Sequence, residues 1–262
     1  MFPIAPLRHL LAAACLLAPL ALPPLAQGAD LPATIVRVKP SVLAIGSFQR
    51  TRSPNISFHS TGFVVGDGLS VITNAHTVAN ILDSENKEQL GVVIKTASGV
   101  DFRPATVAGI DQEHDLAHLR IGGAPLPALV LGDSSTVPEG QALALTGFPL
   151  GMGLGLNHAT HRATLAAITP AVMPAVGDTR KLDARMVARL QRPPQAIFQL
   201  DGTAFPGNSG SPVYDPDSGT VLAVLSGGII KGLKEAAIAN PSGISYAIPI
   251  NHARTLLLQK SP

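Results

Sequence analysis

Ser209 stands between two glycines in residues 207–212, which read Gly-Asn-Ser-Gly-Ser-Pro. A serine hydroxyl is a poor nucleophile at neutral pH, so it needs a neighbouring base and donors for the oxyanion that it creates. Because glycine adopts dihedral angles that a Cβ forbids, the loop can turn the N–H groups of Gly207 and Ser209 toward one point. The run therefore predicts a nucleophile, with an oxyanion hole over Gly207, Asn208 and Ser209. An ordinary Gly/Ser/Pro turn is the alternative.

His76 is the candidate base among the eight histidines of the chain. It follows an apolar run in residues 71–78, Val-Ile-Thr-Asn-Ala-His-Thr-Val, which predicts a strand that ends just before it. The end of a strand holds a base rigidly and leaves the imidazole ring accessible to a reacting group. A hydrogen-bonded structural histidine is the alternative.

Asp115 is the candidate carboxylate that orients this base. It precedes residues 116–121, whose alternation of side chains predicts a strand. A buried aspartate can accept the Nδ1–H of a histidine, fix its tautomer and stabilise the imidazolium. Asp111 and Glu113 lie nearby, but they belong to a more polar loop. We therefore predict a triad of Ser209, His76 and Asp115.

His114 and His118 flank Asp115 with the spacing of the helical zinc motif His-Glu-x-x-His. On a helix the two rings would share a face, whereas on a strand they lie roughly 13 Å apart. One zinc ion cannot bind two ligands at that separation, because each must lie about 2 Å from the metal. The strand pattern is the stronger one, so we predict no metal site. There is no Gly-rich phosphate loop, and no cofactor is expected.

The segments around these residues predict many short strands. Residues 61–65 and 69–73 flank a Gly-Asp-Gly turn and predict a hairpin that leads to His76. Further strand patterns recur about every ten residues, at 41–48, 90–95, 101–109, 116–121, 141–147, 162–168, 196–200, 212–214, 220–226 and 243–248. Short strands separated by Gly and Pro are typical of an all-β sandwich or of barrels.

Four segments do not fit this pattern of regularly spaced short strands. Residues 33–40 predict a short helical or irregular lead, and residues 50–59 are polar and predict a loop. Residues 170–195 are basic and bounded by prolines, and their apolar spacing predicts an amphipathic helix within an insertion. A solvated helix without a role is the alternative there. A last helix is predicted from Asn251, which can cap it.

Residues 1–28 predict a cleaved export signal. A short basic start precedes the apolar residues 10–25, and Ala26 and Gly28 supply the small side chains of a cleavage site. The apolar run contains prolines and is shorter than the ~20 residues of a membrane span, so a retained anchor is the weaker alternative. Cys15 is the single cysteine of the chain, and lipid attachment to it is a minority interpretation. We expect a bacterial periplasmic or secreted protein.

Composition excludes two classes of partner. The formal net charge of the chain is +2, which is too small to attract nucleic acid or an anionic membrane strongly.

An exported protein without disulfides must be stabilised by its core, and a chain of this length can bury enough apolar surface for that.

Together these motifs resemble the trypsin-like serine proteases, and within them the bacterial HtrA/Deg type. The matching segments are residues 36–46, 61–78, 115–117, 207–212 and 244–251. The order His, Asp, Ser is that of chymotrypsin. The resemblance implies an all-β fold of two antiparallel six-stranded barrels with a short C-terminal helix. The expected units are the signal at 1–28, a first barrel in residues 29–135 and a second in residues 136–262.

The resemblance also implies a reaction and its substrates. Ser209 would attack the peptide bond of a polypeptide, His76 would transfer the proton, and an acyl-enzyme would follow. Ser226 would support Asp115.

A substrate-binding strand and a specificity pocket are further implications of the resemblance. The substrate backbone would pair with Ser226, Gly227 and Gly228. The pocket would be lined by Thr203, Ala204, Gly228, Ile229 and Ile230 or their neighbours. Since none of these side chains is charged, a small or medium aliphatic residue is expected before the cut.

The chain departs from the family pattern at four points. It ends soon after the second barrel, so the PDZ domain of many HtrA proteins is not expected. Ser211 replaces the usual glycine, and the insertion at 170–195 is longer than the corresponding loop. Asn208 replaces an aspartate, so a newly cut N-terminus would find no counter-ion.

The resulting hypothesis is an exported serine endopeptidase in protein quality control or processing. Family members often form trimers through their N-terminal segment, so the resemblance makes a homotrimer one candidate assembly, which the sequence alone does not establish. A binding module that uses the same fold without turnover is the alternative, because a fold does not establish an activity.

Overall fold

The computed structural model describes residues 30–82, 88–96, 99–170, 195–227 and 243–259. Within these ranges twelve strands form two closed barrels of six antiparallel strands each. The first barrel contains β1 (Val42–Phe48), β2 (Ile56–Val65), β3 (Ser70–Thr73), β4 (Gln89–Thr96), β5 (Gly99–Asp111) and β6 (Leu116–Ile121). The second contains β7 (Ala142–Gly147), β8 (Ala159–Pro170), β9 (Ala196–Asp201), β10 (Pro212–Tyr214), β11 (Val221–Gly227) and β12 (Ile244–Pro249). The predicted fold class is confirmed.

Each barrel is closed because every strand in it pairs with a neighbour on both sides. β1 pairs with β2 and with β4, and β10 pairs with β11 and with β7. Closed barrels leave no unpaired sheet edge, which explains how a chain rich in short strands satisfies its backbone polar groups.

Three helices lie among the described residues: α1 (Leu31–Val38), α2 (Ala75–Leu82) and α3 (Ile250–Leu258). Helix α1 occupies the predicted lead segment, and the carboxylate of Asp30 accepts the N–H of Ala33 at its start. Helix α2 was not predicted, and one residue separates it from the end of β3. None of the helices in the described part of the chain is long and apolar enough to cross a membrane.

Several boundaries differ from their predictions, and two of these differences have a physical reason in the described contacts. Strand β2 begins at Ile56, so residues 56–59 are not part of a loop. Their polar side chains predicted a loop, but pairing with β1 satisfies the backbone polar groups of this segment. The prediction that Asn251 caps the last helix is wrong, because α3 begins at Ile250 after Pro249. The side chain of Asn251 instead donates to Asp133 Oδ1 at 2.8 Å and accepts from the N–H of Ser134 at 3.2 Å. These bonds fix α3 against the segment that joins the barrels.

Apolar side chains fill each barrel and also the contact between them. One buried cluster inside the first barrel includes Ile45 and Leu119, and one inside the second includes Leu145 and Leu225. A third cluster contains Phe63 of the first barrel, Tyr214 of the second and other residues of both. This shared core holds the barrels against each other, so groups at their contact can be positioned from both sides.

Several sequence predictions fall on residues outside the described ranges. They are the export signal at 1–28, nearly all of the insertion at 170–195, and Gly228 of the substrate-binding strand.

Buried histidines predict a pH dependence of stability. Burial lowers the pKa of four histidines below the ordinary value of 6.5: His118, His158, His161 and His252. Below pH 6.5 the unfolded chain therefore binds more protons at these positions than the folded chain, so the free energy of unfolding falls as the pH is lowered. We expect a lower thermal midpoint at pH 5 than at pH 7.5, measured by circular dichroism.

The variant His252→Gln separates the contribution of the histidines to the pH dependence of stability from that of the carboxylates. The pKa of Asp67 and of Asp133 is held at about 2 by hydrogen bonds, so the stability that these carboxylates contribute is lost only well below pH 5. His252→Gln removes one of the four titrating rings and should reduce the difference between the two midpoints. An equal or higher midpoint at pH 5 in the unmodified chain would contradict the lowered pKa of these histidines.

Candidate active site

His76 and Asp115 lie side by side at the ends of two paired strands. His76 is in the first turn of α2, just after β3, and Asp115 is the last residue before β6. Strands β3 and β6 pair up to Thr73 and Ala117, which brings the two residues together. The Nδ1 atom of His76 is 2.8 Å from Oδ2 and 3.0 Å from Oδ1 of Asp115. The N–H of His76 also donates to Oδ1, at 2.9 Å, so the carboxylate holds both ring and backbone.

The backbone of Asp115 adopts a left-handed conformation, with a φ of 53°. Such a conformation is unfavourable for a residue with a Cβ and persists only where the surroundings enforce it. Two donors do so here: the side-chain amide of Asn74 at 3.0 Å and the N–H of Ala75 at 3.1 Å both donate to the carbonyl of Asp115. Asn74 is thus a positioning residue that the sequence patterns did not single out, although it lies in the Thr-Asn-x-His run.

Ser226 joins this pair to the second barrel. Its hydroxyl, at the end of β11, donates to Asp115 Oδ2 at 2.9 Å. This is the contact that the resemblance implied. The carboxylate side chain of Asp115 is 29% exposed and the His76 ring is 45% exposed, so the carboxylate is shielded while the base stays accessible.

Ser209 lies against the same residue of β11. Its Oγ is 3.5 Å from the carbonyl oxygen of Ser226, and it makes no hydrogen bond to His76 in the described structure. Backbone bonds fix the loop: the N–H of Thr61 donates to the carbonyl of Ser209 at 2.9 Å, and the N–H of Gly210 donates to Leu225 at 2.7 Å. Ser226 therefore contacts Ser209 through its carbonyl and Asp115 through its hydroxyl, which brings all three predicted triad residues to one place.

The loop before Ser209 presents two free N–H groups. Within the described ranges, neither the N–H of Gly207 nor that of Ser209 has a hydrogen-bond partner, whereas the N–H of Asn208 donates to Phe205 at 3.0 Å. Gly207 has a φ of 95°, and its carbonyl accepts from Thr61 Oγ1 at 2.7 Å. Gly207 and Ser209 can thus act as the predicted donors. Asn208, which was predicted with them, uses its N–H to shape the loop.

The predicted substrate-binding residues frame the same region. Thr203 and Ala204 are half-buried in the loop after β9, and Ala204 packs against the interior of the second barrel. Gly227 is the last residue of β11, and a Cβ built on it would lie 3.0 Å from Ser209 Oγ. Only a residue without a side chain leaves the nucleophile this room.

The zinc alternative is not supported by the geometry. His114 lies in a turn, where its Nδ1 is 2.5 Å from Asp111 Oδ2, and His118 lies on β6. The two rings therefore do not share a helical face. Among the described residues no group of three or more His, Cys, Asp or Glu side chains is arranged to hold a metal ion.

Comparisons with known proteins agree with this architecture. Residues 60–224 match the family described as "Trypsin-like peptidase domain". "Serine protease HTRA2, mitochondrial" of Drosophila persimilis is 31% identical over 213 residues, which cover 78% of this chain and 39% of that protein. "Serine protease HTR4" of Bos taurus is 29% identical over 231 residues, which cover 86% of this chain and 40% of that protein. The chain spans about two fifths of the length of these curated relatives.

Solved structures share the fold. "HtrA-type protease AlgW with tripeptide" superposes with a TM-score of 0.61 at 21% identity, over 87% of this chain and 62% of that one. "Crystal structure of Deg5" superposes with a TM-score of 0.59 at 20% identity, over 86% of this chain and 90% of that one. At these identities the likeness shows the fold alone.

The conformation of Gly207 leads to a stability prediction. A Cβ at Gly207 would lie 2.5 Å from the carbonyl oxygen of Phe148 and 2.9 Å from the ring of Phe58. Gly140 has a similar φ of 88°, but nothing lies within 4 Å of a Cβ built there. Gly140→Ala should therefore lower the free energy of unfolding by about 1–2 kcal/mol through backbone strain. Gly207→Ala should lower it by about 1–3 kcal/mol more through steric overlap.

Urea unfolding of the two variants and the unmodified chain measures these differences. Equal losses in Gly140→Ala and Gly207→Ala would show that the oxyanion loop is not packed as described.

Proposed function

The chain belongs to the trypsin-like peptidase family, in its HtrA type, and from this premise we propose that it is a serine endopeptidase. In this proposal Ser209 is the nucleophile, His76 the general base and Asp115 the group that orients the base. The observation that carries the proposal is the carboxylate of Asp115, which accepts from His76 of one barrel and from Ser226 of the other. That arrangement leaves the Nε2 edge of His76 directed away from the carboxylate, which is what a base for Ser209 requires.

The first half of the reaction forms the acyl-enzyme. His76 donates its Nδ1–H to Asp115, so the neutral ring offers the lone pair of Nε2 to the proton of Ser209. The Oγ–carbon bond forms at the peptide carbonyl, and the N–H groups of Gly207 and Ser209 stabilise the oxyanion. When the carbon–nitrogen bond breaks, the imidazolium gives its proton to the leaving amine. Asp115 stabilises that imidazolium.

Water completes the cycle. His76, neutral again, takes a proton from a water molecule whose oxygen attacks the acyl carbon. The second tetrahedral intermediate uses the same two N–H groups, and its collapse returns the proton to Ser209 and releases the carboxylic acid. The cycle is balanced in atoms, protons and electrons with only the peptide and water as reactants.

Polypeptides are the substrates that this geometry favours. Ser226 and Gly227 end β11 beside Ser209 and lie beyond its pairing with β10, which stops at Val224. An extended peptide can add to such an unpaired strand end through main-chain hydrogen bonds. Thr203, Ala204 and the predicted Gly228 would contact the side chain before the cut. Export, a role in protein quality control or processing, and a homotrimer stay predictions from the sequence.

A resting or silent site is the second candidate. Ser209 Oγ faces the carbonyl of Ser226 rather than His76, so attack requires its hydroxyl to turn toward Nε2. A protein that keeps this rotamer would bind peptides without cutting them.

Substitution of the nucleophile separates the two candidates. Ser209→Ala should lower kcat for a fluorogenic peptide by roughly 10⁶-fold, because the members of a triad act as a unit. Ser211→Ala is the matched control: Ser211 is two residues away, and its buried Oγ has no partner to lose, so near-normal turnover is expected. Undiminished hydrolysis by purified Ser209→Ala would refute the proposal, and absence of hydrolysis by the unmodified chain would favour the silent site.

A further inference from the structure

His161 carries a polar atom that the fold leaves without a partner. It lies on β8, and its Nε2 is closed to solvent without a hydrogen bond in the described structure. Burial lowers the pKa of this imidazole below its ordinary value, so the ring is neutral at pH 7. A buried nitrogen of this kind is costly unless water or a ligand pairs with it.

The register of β8 places His161 on the inner face of the second barrel. Side chains two residues apart on a strand share a face, and Ala163 and Leu165 belong to the buried cluster inside this barrel. His161 pairs with Leu145 of β7, and Leu145 pairs in turn with Val213 of β10. Val213 is four residues beyond Ser209, so His161 lies toward the end of the barrel where the nucleophile is.

The loop that leads to the nucleophile runs along the same part of β8. A Cβ built on Gly202 would lie 3.1 Å from Cβ of Ala163. Three residues later, the ring centroid of Phe205 is 6.0 Å from that of His161. Ala204, between them, packs against the barrel interior. His161 therefore lies next to the loop that carries Thr203 and Ala204, the predicted wall of the specificity pocket.

We propose that His161 determines specificity, and that the protein prefers substrates with a carboxamide side chain, glutamine or asparagine, before the scissile bond. This inference rests on the proposed function. Recognition sites are mostly apolar, with a few polar groups that fix the orientation of the ligand. An amide offers a donor and an acceptor, so it pairs with either tautomer of the neutral ring.

Other side chains fit this position less well. An aliphatic residue leaves Nε2 unpaired, and a site with an unpaired buried polar group discriminates against such a ligand. A carboxylate would lose its hydration opposite a neutral ring that supplies no charge. The aliphatic preference expected from the sequence rested on the uncharged residues Thr203, Ala204, Gly228, Ile229 and Ile230, and it did not take His161 into account.

The test measures kcat/KM for peptides that differ only in the residue before the cut: Gln, Asn, Leu, Val, Glu and Arg. The unmodified chain should cleave the Gln or Asn peptide fastest. His161→Leu should lower the Gln/Leu ratio of kcat/KM about 10- to 100-fold, while cleavage after Leu is retained. His161→Gln keeps a hydrogen-bonding group and should preserve most of the ratio.

His158→Leu is the matched control. His158 is also a partly buried histidine near β8, but its Nε2 bonds to the carbonyl of Val42 at 2.8 Å, away from the barrel interior. The Gln/Leu ratio of kcat/KM for His158→Leu should equal that of the unmodified chain. Circular dichroism of each variant verifies that it is folded, and His161→Ala, which also removes the imidazole, replaces His161→Leu if the latter does not fold.

The outcomes are distinguishable. Fastest cleavage after Leu or Val, with a ratio that neither His161 variant changes, would overturn this inference and leave the proposed function standing. A preference for Glu that is lost in His161→Leu would overturn the carboxamide class. If the unmodified chain cleaves no peptide, the proposed function and this inference both fail.

Discussion

The carboxylate of Asp115 is the point on which the structure of the site depends. It accepts three hydrogen bonds, two from the ring and backbone of His76 and one from the hydroxyl of Ser226. The first two bonds lie within one barrel and the third reaches the other. Because charge-assisted bonds are short and directional, the carboxylate sets the relative position of His76 and Ser226 as well as the orientation of the base. Asn74 and Ala75 hold its backbone in the conformation that this requires.

The packing of the two barrels sustains this contact. A partly buried carboxylate loses hydration, and its own hydrogen bonds must offset that loss. The apolar cluster between the barrels keeps Ser226 within reach of Asp115, so the bond does not rely on a flexible loop. Closely packed cores resist small displacements, which is why a hydrogen bond between two barrels can be kept at 2.9 Å.

Local patterns in the sequence predicted most of the strands, and the resemblance to trypsin-like proteases implied the two barrels. Alternating side chains and glycine turns indicated the strands, and His76, Asp115 and Ser209 each stood at the end of such an element. Features that depend on contacts between residues far apart in the sequence could not be predicted from local patterns. The start of α2 and of α3 depends on tertiary contacts, as shown by Asn251, whose capping side chain bonds to Asp133 and Ser134 instead. The free Nε2 of His161 depends on how β8 packs, which no local spacing reveals.

Reaction with a fluorophosphonate tests most directly whether Asp115 makes His76 a base for Ser209. Intact mass should show one adduct on the unmodified chain, at Ser209, and Asp115→Asn should react roughly 10⁴-fold more slowly because the tautomer of His76 is wrong. Asp111→Asn should react normally, since Asp111 bonds to the backbone of Glu113 and to the backbone and ring of His114 rather than to His76. Equal labelling of both aspartate variants, or a folded unmodified chain without any adduct, would contradict this role of Asp115.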